Sequence, residues 1–314
     1  MNINEFLFSA SRLWRYLNIY FLKPFDAIND TLTSTILNQL DWEDEFIEIG
    51  SGDGMYSFIM HGGSFPLSFD RYLLADTTLS DDIYDYHKKN VLSTKKIPSK
   101  PILSISLDAK KSHILKVREI GYARNSSVVS YESLPFLNKN FHSIFLYTPH
   151  GLEDHKDAIK EASRVLMDGG SLYILVYDKN FQKDFICYRI GQKFKGFIGK
   201  YFKNLDSGRH DEITSMARSQ IEWKALFQNL DLKIEKEESG LSGFAWRMYD
   251  IQTRPILKPL ISFFGLLPKF FRTTIKVIIM LSLYPFLLLF YLIFSNRLFK
   301  LGSYNCYIAY QLRK

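Results

Sequence analysis

Cysteine is almost absent: Cys187 and Cys306 are the only two in 314 residues. They stand far apart and neither has neighbours at metal-ligand spacing, which excludes a disulfide framework and a zinc site and fits a reducing compartment. No G-K-[ST] follows a glycine-rich stretch, so the phosphate loop of nucleoside triphosphatases is missing. The N-terminal region has no uninterrupted apolar core, because Arg12, Arg15 and Lys23 divide it. That argues against a secretory leader and places the bulk of the chain in the cytoplasm. Acidic residues are the minority charge, 33 against 40 Lys and Arg, for a formal net charge of +7. A basic chain suits an anionic partner: nucleic acid, an anionic membrane surface or a phosphate-bearing substrate. Here the basic residues cluster around apolar runs and form no separate patch, which speaks against nucleic acid. Aromatic residues are plentiful at 16%, and they tilt the choice toward a membrane or a large apolar ligand. With 46% apolar residues, the chain can bury one large core and an accessory element.

The most informative stretch is Phe46-Ile47-Glu48-Ile49-Gly50-Ser51-Gly52-Asp53-Gly54. A β-prone run ends in glycines at alternate positions, and a mixed apolar region, Met55 to Met60, follows. This reads as strand, tight turn and helix start, the opening of a nucleotide-type βαβ unit. Glycine lets the backbone turn sharply and approach a ligand closely, and the first N–H groups of the next helix then face the bound molecule. Met55 occupies the place where a dinucleotide fingerprint needs its third glycine. What remains is G-x-G-x-G with Glu48 two residues before it. That pattern resembles motif I of the class I S-adenosylmethionine (SAM)-dependent methyltransferases. The resemblance implies SAM as cofactor, with Glu48, Gly50, Ser51, Gly52, Asp53 and Gly54 around it.

Two carboxylates compete for the end of the second strand. Asp76 closes the short run Tyr72 to Asp76; Asp108 closes Ile102 to Asp108, which alternates better and leads into the helix-like stretch Ala109 to Ile120, with Gly121 as its cap. We favour Asp108, with Ala109 beside it, as the acceptor of the cofactor's ribose hydroxyls. Residues 61–101 are then an insertion over the cofactor site. Further on come a strand Ser127 to Ser130, the run Glu132-Ser133-Leu134-Pro135-Phe136, a strand 141–147, a helix Asp157 to Leu166 and a strand Ser171 to Tyr177. Together with E-A-S-R-V-L-M-D-G-G-S-L-Y-I, these resemble the SAM-methyltransferase family that includes quinone-biosynthetic C-methyltransferases, over about residues 45–178. The resemblance places the adenine near Ser130, Tyr131 and Glu132, although the family usually has Asp where this chain has Ser130. Glu161 and Arg164 sit on a helix that the family uses structurally, and ion pairing or surface solvation is expected there in place of catalysis. A base for a hydroxyl acceptor belongs at the ends of the fourth and fifth strands, where Tyr147, His150, Tyr177 and Asp178 are available; His150 is the choice, since imidazole titrates near neutrality.

The fold expected is α/β, a Rossmann-like seven-stranded class I methyltransferase sheet with a hydrophobic helical insertion before the last strand. Residues 1–40 form N-terminal helices, with Phe6, Ala10, Leu13, Leu17 and Tyr20 on one stripe that packs on its own domain or, as basic and aromatic residues interleave, rests on lipid. Residues 41–240 form the SAM-binding domain, 241–301 a hydrophobic membrane-associating segment and 302–314 the last strand. Val277 to Ser295 is uncharged and apolar, and roughly 20 such residues cross a bilayer. Since Tyr304 to Leu312 alternates like a strand of the same sheet, both ends of the run lie on one side. A hairpin broken near Tyr284-Pro285 is therefore expected over a single span. The insertion and the extra C-terminal helices also resemble methyltransferases of surface-polysaccharide and lipid biosynthesis. The reading is a SAM-dependent methyltransferase on the cytoplasmic membrane face, acting on a lipid-linked or amphipathic acceptor. The alternatives are a quinone or isoprenoid-lipid methyltransferase and a catalytically silent SAM-fold scaffold subunit.

Overall fold

The computed structural model describes residues 3–78, 83–89, 91–147, 155–252, 254–295 and 305–314. The chain opens with helices α1 (Ile3–Ile19) and α2 (Pro24–Leu37) and enters the sheet at β1 (Glu45–Ile49). Helix α3 (Met55–Met60) follows the glycine turn, and the insertion after it carries a 3-10 turn at Arg71–Leu74. Next come β2 (Ile102–Asp108), α4 (Lys111–Ile120), β3 (Asn125–Val128), β4 (Phe141–Tyr147), α5 (His155–Val165) and β5 (Leu166–Tyr177). The C-terminal part holds α6 (Ile186–Lys193), α7 (Gly196–Met216), α8 (Gln220–Gln228), β6 (Lys233–Ser242), α9 (Gly243–Ile251), α10 (Leu257–Leu266), α11 (Lys269–Ser295) and β7 (Asn305–Arg313).

The strands form one sheet in the order β3-β2-β1-β4-β5-β7-β6. β1 to β5 pair in parallel, and β7 runs antiparallel to both β5 and β6. This is the seven-stranded class I arrangement expected, with the hydrophobic helix inserted before β7. Side chains alternate across the sheet, so each strand feeds two cores. On β5, Tyr173, Leu175 and Tyr177 enter the core under α1, α2 and α3, and Leu172, Ile174 and Val176 enter the one under α5 and α8. The parallel strands end on one edge, and the order reverses between β1 and β4. Ligand crevices form at such a reversal, outside the strand ends.

Several boundaries moved. β3 is Asn125–Val128, two residues earlier than expected. α2 begins at Pro24; proline is well suited to the first helical position, where its missing N–H has no intrahelical partner to lose. The run Tyr72 to Asp76 is no strand: Asp70 accepts from Tyr72 N at 3.0 Å and caps the 3-10 turn. α1 packs on its own domain, with Leu13, Tyr16 and Leu17 fully buried and Tyr16 Oη donating to Tyr56 O at 3.0 Å.

The hairpin expected at Tyr284-Pro285 does not form. α11 is one helix of 27 residues with Pro285 inside it. It lies lengthwise on the domain: Lys276 Nζ donates to Phe69 O, Tyr284 Oη to Ala10 O at 3.0 Å, and Tyr291 Oη meets Thr35 Oγ1 at 3.2 Å. Lys276, Met280, Leu287 and Tyr291 face the domain, while Phe270, Ile278, Leu281, Phe286 and Leu289 are exposed. At about 100° per residue these sets occupy opposite faces. These contacts, on both sides of Pro285, tie the helix to the domain before and after the proline.

Candidate functional site

β1 delivers the glycine turn to the carboxyl edge of the sheet. Gly50, Gly52 and Gly54 all have positive φ, at 79°, 56° and 76°, a region that side chains with a Cβ disfavour. The turn is sewn to the end of β2. Gly50 N and Ser51 N donate to Leu107 O at 2.9 and 3.1 Å, and Gly52 N donates to Asp108 Oδ2 at 2.8 Å. Met55 N, at the start of α3, donates to Asp53 Oδ1 at 3.2 Å. Several of the turn's N–H groups are therefore spent on shaping it. A Cβ on Gly54 would stand 2.9 Å from Val117 Cγ2 of α4, whereas one on Gly52 meets nothing within 4 Å. Gly54 is required for close approach to α4, and Gly52 opens on free space over the turn.

The two candidate aspartates differ in where the fold puts them. Asp108 ends β2 and is buried, whereas Asp76 lies in the insertion and binds Thr78. Asp108 Oδ1 also takes Lys110 N at 2.9 Å and His113 Nδ1 at 3.0 Å. Tyr131 also hydrogen-bonds Asp108, so the carboxylate's four or so lone-pair sites are all engaged, and a ribose hydroxyl would take the place of one of these partners. Ala109 N donates to Tyr131 Oη at 3.0 Å, which joins two of the predicted groups into one corner. Burial first, and the Asp108 charge second, raise the Tyr131 phenol and keep it neutral. Ser130 and Glu132 are exposed at the rim of that corner, and Glu132 N donates to Ser130 Oγ at 3.4 Å. The loop beneath is held as the ion-pair expectation required: Arg164 Nη2 meets Glu161 Oε2 at 2.7 Å and Leu134 O at 3.0 Å, and Arg164 Nη1 meets Phe136 O at 2.9 Å.

Glu48 is 1% exposed; Ser57 Oγ of α3 donates to its Oε1, and Oε2 has no partner among the described residues. Burial pushes its carboxyl up to about 8, against the Ser57 hydrogen bond. Glu48 therefore braces α3. His150 lies outside the described residues. Asp178 caps a 3-10 turn by accepting from Asn180 N at 2.8 Å, a structural task. Tyr147 ends β4 with its ring 4.7 Å from that of Tyr56.

Sequence reasoning missed a polar cluster that only the fold assembles. Asp30 of α2 is buried, with Asn29 Nδ2 donating to its Oδ1 at 3.1 Å. Burial, and then the Asp26 charge, push its carboxyl up to about 7. Close enough to feel it electrostatically are Tyr20, Tyr56, Tyr147 and Arg71. Arg71 in turn binds Asp53 of the glycine turn at 2.7 Å. No motif links these residues in the sequence. A carboxyl held near neutrality can exchange a proton at physiological pH.

No family model matches the chain, and no curated protein does. Solved structures are similar to it at low identity. A SAM-dependent methyltransferase of Thermotoga maritima, described as a possible histamine N-methyltransferase, is 16% identical and covers 72% of this chain and 82% of its own, with a TM-score of 0.42. The [4+2]-cyclase SpnF is 12% identical over 92% of this chain and 81% of its own, with a TM-score of 0.47. A geranyl diphosphate C-methyltransferase of Streptomyces coelicolor, bound to geranyl diphosphate and S-adenosyl-L-homocysteine, is 11% identical over 93% and 84%, with a TM-score of 0.39. Such likeness concerns architecture alone. The strand order, with β7 antiparallel between β5 and β6, and the glycine turn after β1 give this chain the class I SAM-dependent methyltransferase fold.

Proposed function

We propose that this chain is a SAM-dependent methyltransferase that works on the cytoplasmic face of a membrane, on a lipid-linked or amphipathic acceptor. The residues present fit the cofactor: open space above Gly52, the buried Asp108 carboxylate at the end of β2 and the neutral Tyr131 phenol beside it. When bound, SAM supplies a methyl group on a sulfonium, already a good leaving group. The protein's task is then to position the acceptor in a dry cleft. For a hydroxyl acceptor, Asp30 is the group that takes the proton, a role the sequence reading gave to His150.

The observation that carries the membrane half is a continuous set of contacts from the turn to an apolar surface. Asp53 of the turn binds Arg71; the neighbouring Asp70 faces Arg272 Nε of α11 at 3.7 Å, and Lys276 of α11 holds Phe69 O. The outward side of α10 and α11 is apolar, with Leu266 83% and Phe270 75% exposed, and exposed Lys258 and Lys269 lie beside it. An apolar face edged by lysines suits the interface of an anionic bilayer. An amphipathic acceptor resting there would lie beside the cleft.

Titration of the protein with SAM tests the first half. Binding supports the enzyme; no heat at millimolar SAM leaves the silent scaffold. Flotation with phosphatidylglycerol vesicles tests the second half, and a protein that stays in the dense fraction refutes it. Labelled SAM incubated with membrane extract then identifies the acceptor, a glycolipid or a quinone-type lipid.

A further inference from the structure

The insertion between α3 and β2 brings a buried cation to the glycine turn. Arg71 opens the 3-10 turn that Asp70 caps, and its side chain is 7% exposed. Nη2 donates to Asp53 Oδ2 at 2.7 Å. The guanidinium lies over the rings of Tyr20 and Tyr84, 4.7 and 4.4 Å from their centroids. Among the described residues Nε and Nη1 meet no acceptor at ordinary hydrogen-bond geometry, Tyr20 being the one further side chain that reaches the guanidinium. A guanidinium keeps its charge in any protein environment, and its N–H groups match carboxylates and phosphates. Buried donors left unmade are costly, so a site holding two of them calls for an acceptor. The carboxylates nearby do not fill that need. Asp53 takes Nη2, and among the described residues no carboxylate accepts from Nε or Nη1.

We propose that Arg71 receives the carboxylate at the amino-acid end of the cofactor, an inference that rests on the SAM reading above. The cofactor carries one anionic group, that carboxylate. Its ammonium and sulfonium are cations, and its adenine and ribose are neutral. A buried guanidinium beside the turn therefore attracts one end of the molecule only. It fixes the direction in which the cofactor lies, with the adenosine toward Asp108 and Tyr131 and the amino acid under the insertion. The insertion is then the wall of the site that reads the amino-acid end. Nitrogen-to-carboxylate hydrogen bonds with a charged donor are short and strong in a water-poor site.

The test compares SAM with decarboxylated SAM, which differ in the carboxylate alone, by isothermal titration of the full-length protein. The wild type is expected to prefer SAM by about 50-fold, the value of one charged hydrogen-bonded contact. In Arg71→Gln, SAM weakens by about the same factor while decarboxylated SAM does not, so the preference vanishes. Arg71→Lys keeps the charge without the planar donors and should retain a preference of about tenfold or less. A preference that survives Arg71→Gln overturns the proposal, as does equal weakening of both ligands, which would make Arg71 a support for Asp53. Equal binding of both by the wild type overturns it and leaves the cofactor reading intact. Binding of neither removes the cofactor reading itself. Should Arg71→Gln fail to fold by circular dichroism, Arg71→Lys decides: a preference equal to the wild type's overturns the proposal.

Discussion

Glu48→Gln isolates the energetics of the buried carboxyl that precedes the glycine turn. In the folded chain Glu48 ionises near pH 8, against 4.5 for the ordinary group, because burial penalises the charge more than the Ser57 hydrogen bond favours it. The unfolded chain therefore releases this proton at lower pH than the folded chain does. Between those values the native state binds more protons, so the stability that the neutral carboxyl contributes is full below pH 4.5 and declines as pH rises toward 8. Each pH unit in that window removes about 1.4 kcal/mol. Over pH 5 to 7.5 the wild type should lose about 3 kcal/mol relative to Glu48→Gln, which cannot ionise. At pH 5 the variant is the less stable of the two, because its amide N–H groups replace an oxygen, Oε2, that has no partner to offer them. The curves should then cross as pH rises. Urea unfolding followed by tryptophan fluorescence, at half-unit steps, reads the difference and cancels every other titrating group, Asp30 included. Parallel wild-type and variant profiles would refute the burial argument.

The two glycines of the turn should separate in the same assay. Gly54→Ala costs about 1–2 kcal/mol for its left-handed backbone and more for the 2.9 Å approach to Val117. Gly52→Val meets no neighbouring atom and costs only the strain of a left-handed backbone, while it fills the open space above the turn, so titration should find SAM binding lost; retained binding would remove Gly52 from the cofactor site. Arg164→Ala breaks the bonds to Leu134 O and Phe136 O and should cost about 2 kcal/mol, with faster hydrogen exchange at residues 130–138; unchanged exchange there would show that the loop holds itself. For a hydroxyl acceptor, the wild-type rate should rise with pH through about 7 as Asp30 ionises, and Asp30→Asn should flatten the profile and slow turnover by about 100-fold or more. A profile that keeps its shape in the variant excludes Asp30 as the base. Serine at Phe270, Leu281 and Phe286, all exposed on α11, should abolish vesicle flotation without lowering the urea midpoint.

Local pattern carried most of the fold. β1, β2 and β4 fall where alternation and flanking glycine or aspartate placed them, and β7 was legible because Tyr304 to Leu312 alternates after a continuous apolar run. The choice of Asp108 over Asp76 came from the better strand in front of it. Errors came where a side chain or a distant partner overrode the local signal. Asp70 capping Tyr72 turned a short apolar run into a 3-10 turn. Contacts to Phe69, Ala10 and Thr35 tie α11 to its domain before and after Pro285.

The sequence by itself determined the sheet, the glycine turn and the corner of Asp108, Ala109 and Tyr131, because each depends on periodicity or on residues bound to their own neighbours. Glu48 shows the limit: its place in the motif was legible, but its direction, onto Ser57, was not. Only the tertiary structure decided that Arg71 reaches Asp53, that Asp30 is dry enough to titrate near 7, and that α11 turns one apolar face to its domain and the other outward. Those properties arise from desolvation and from contacts between segments far apart in the chain, and no local pattern encodes either.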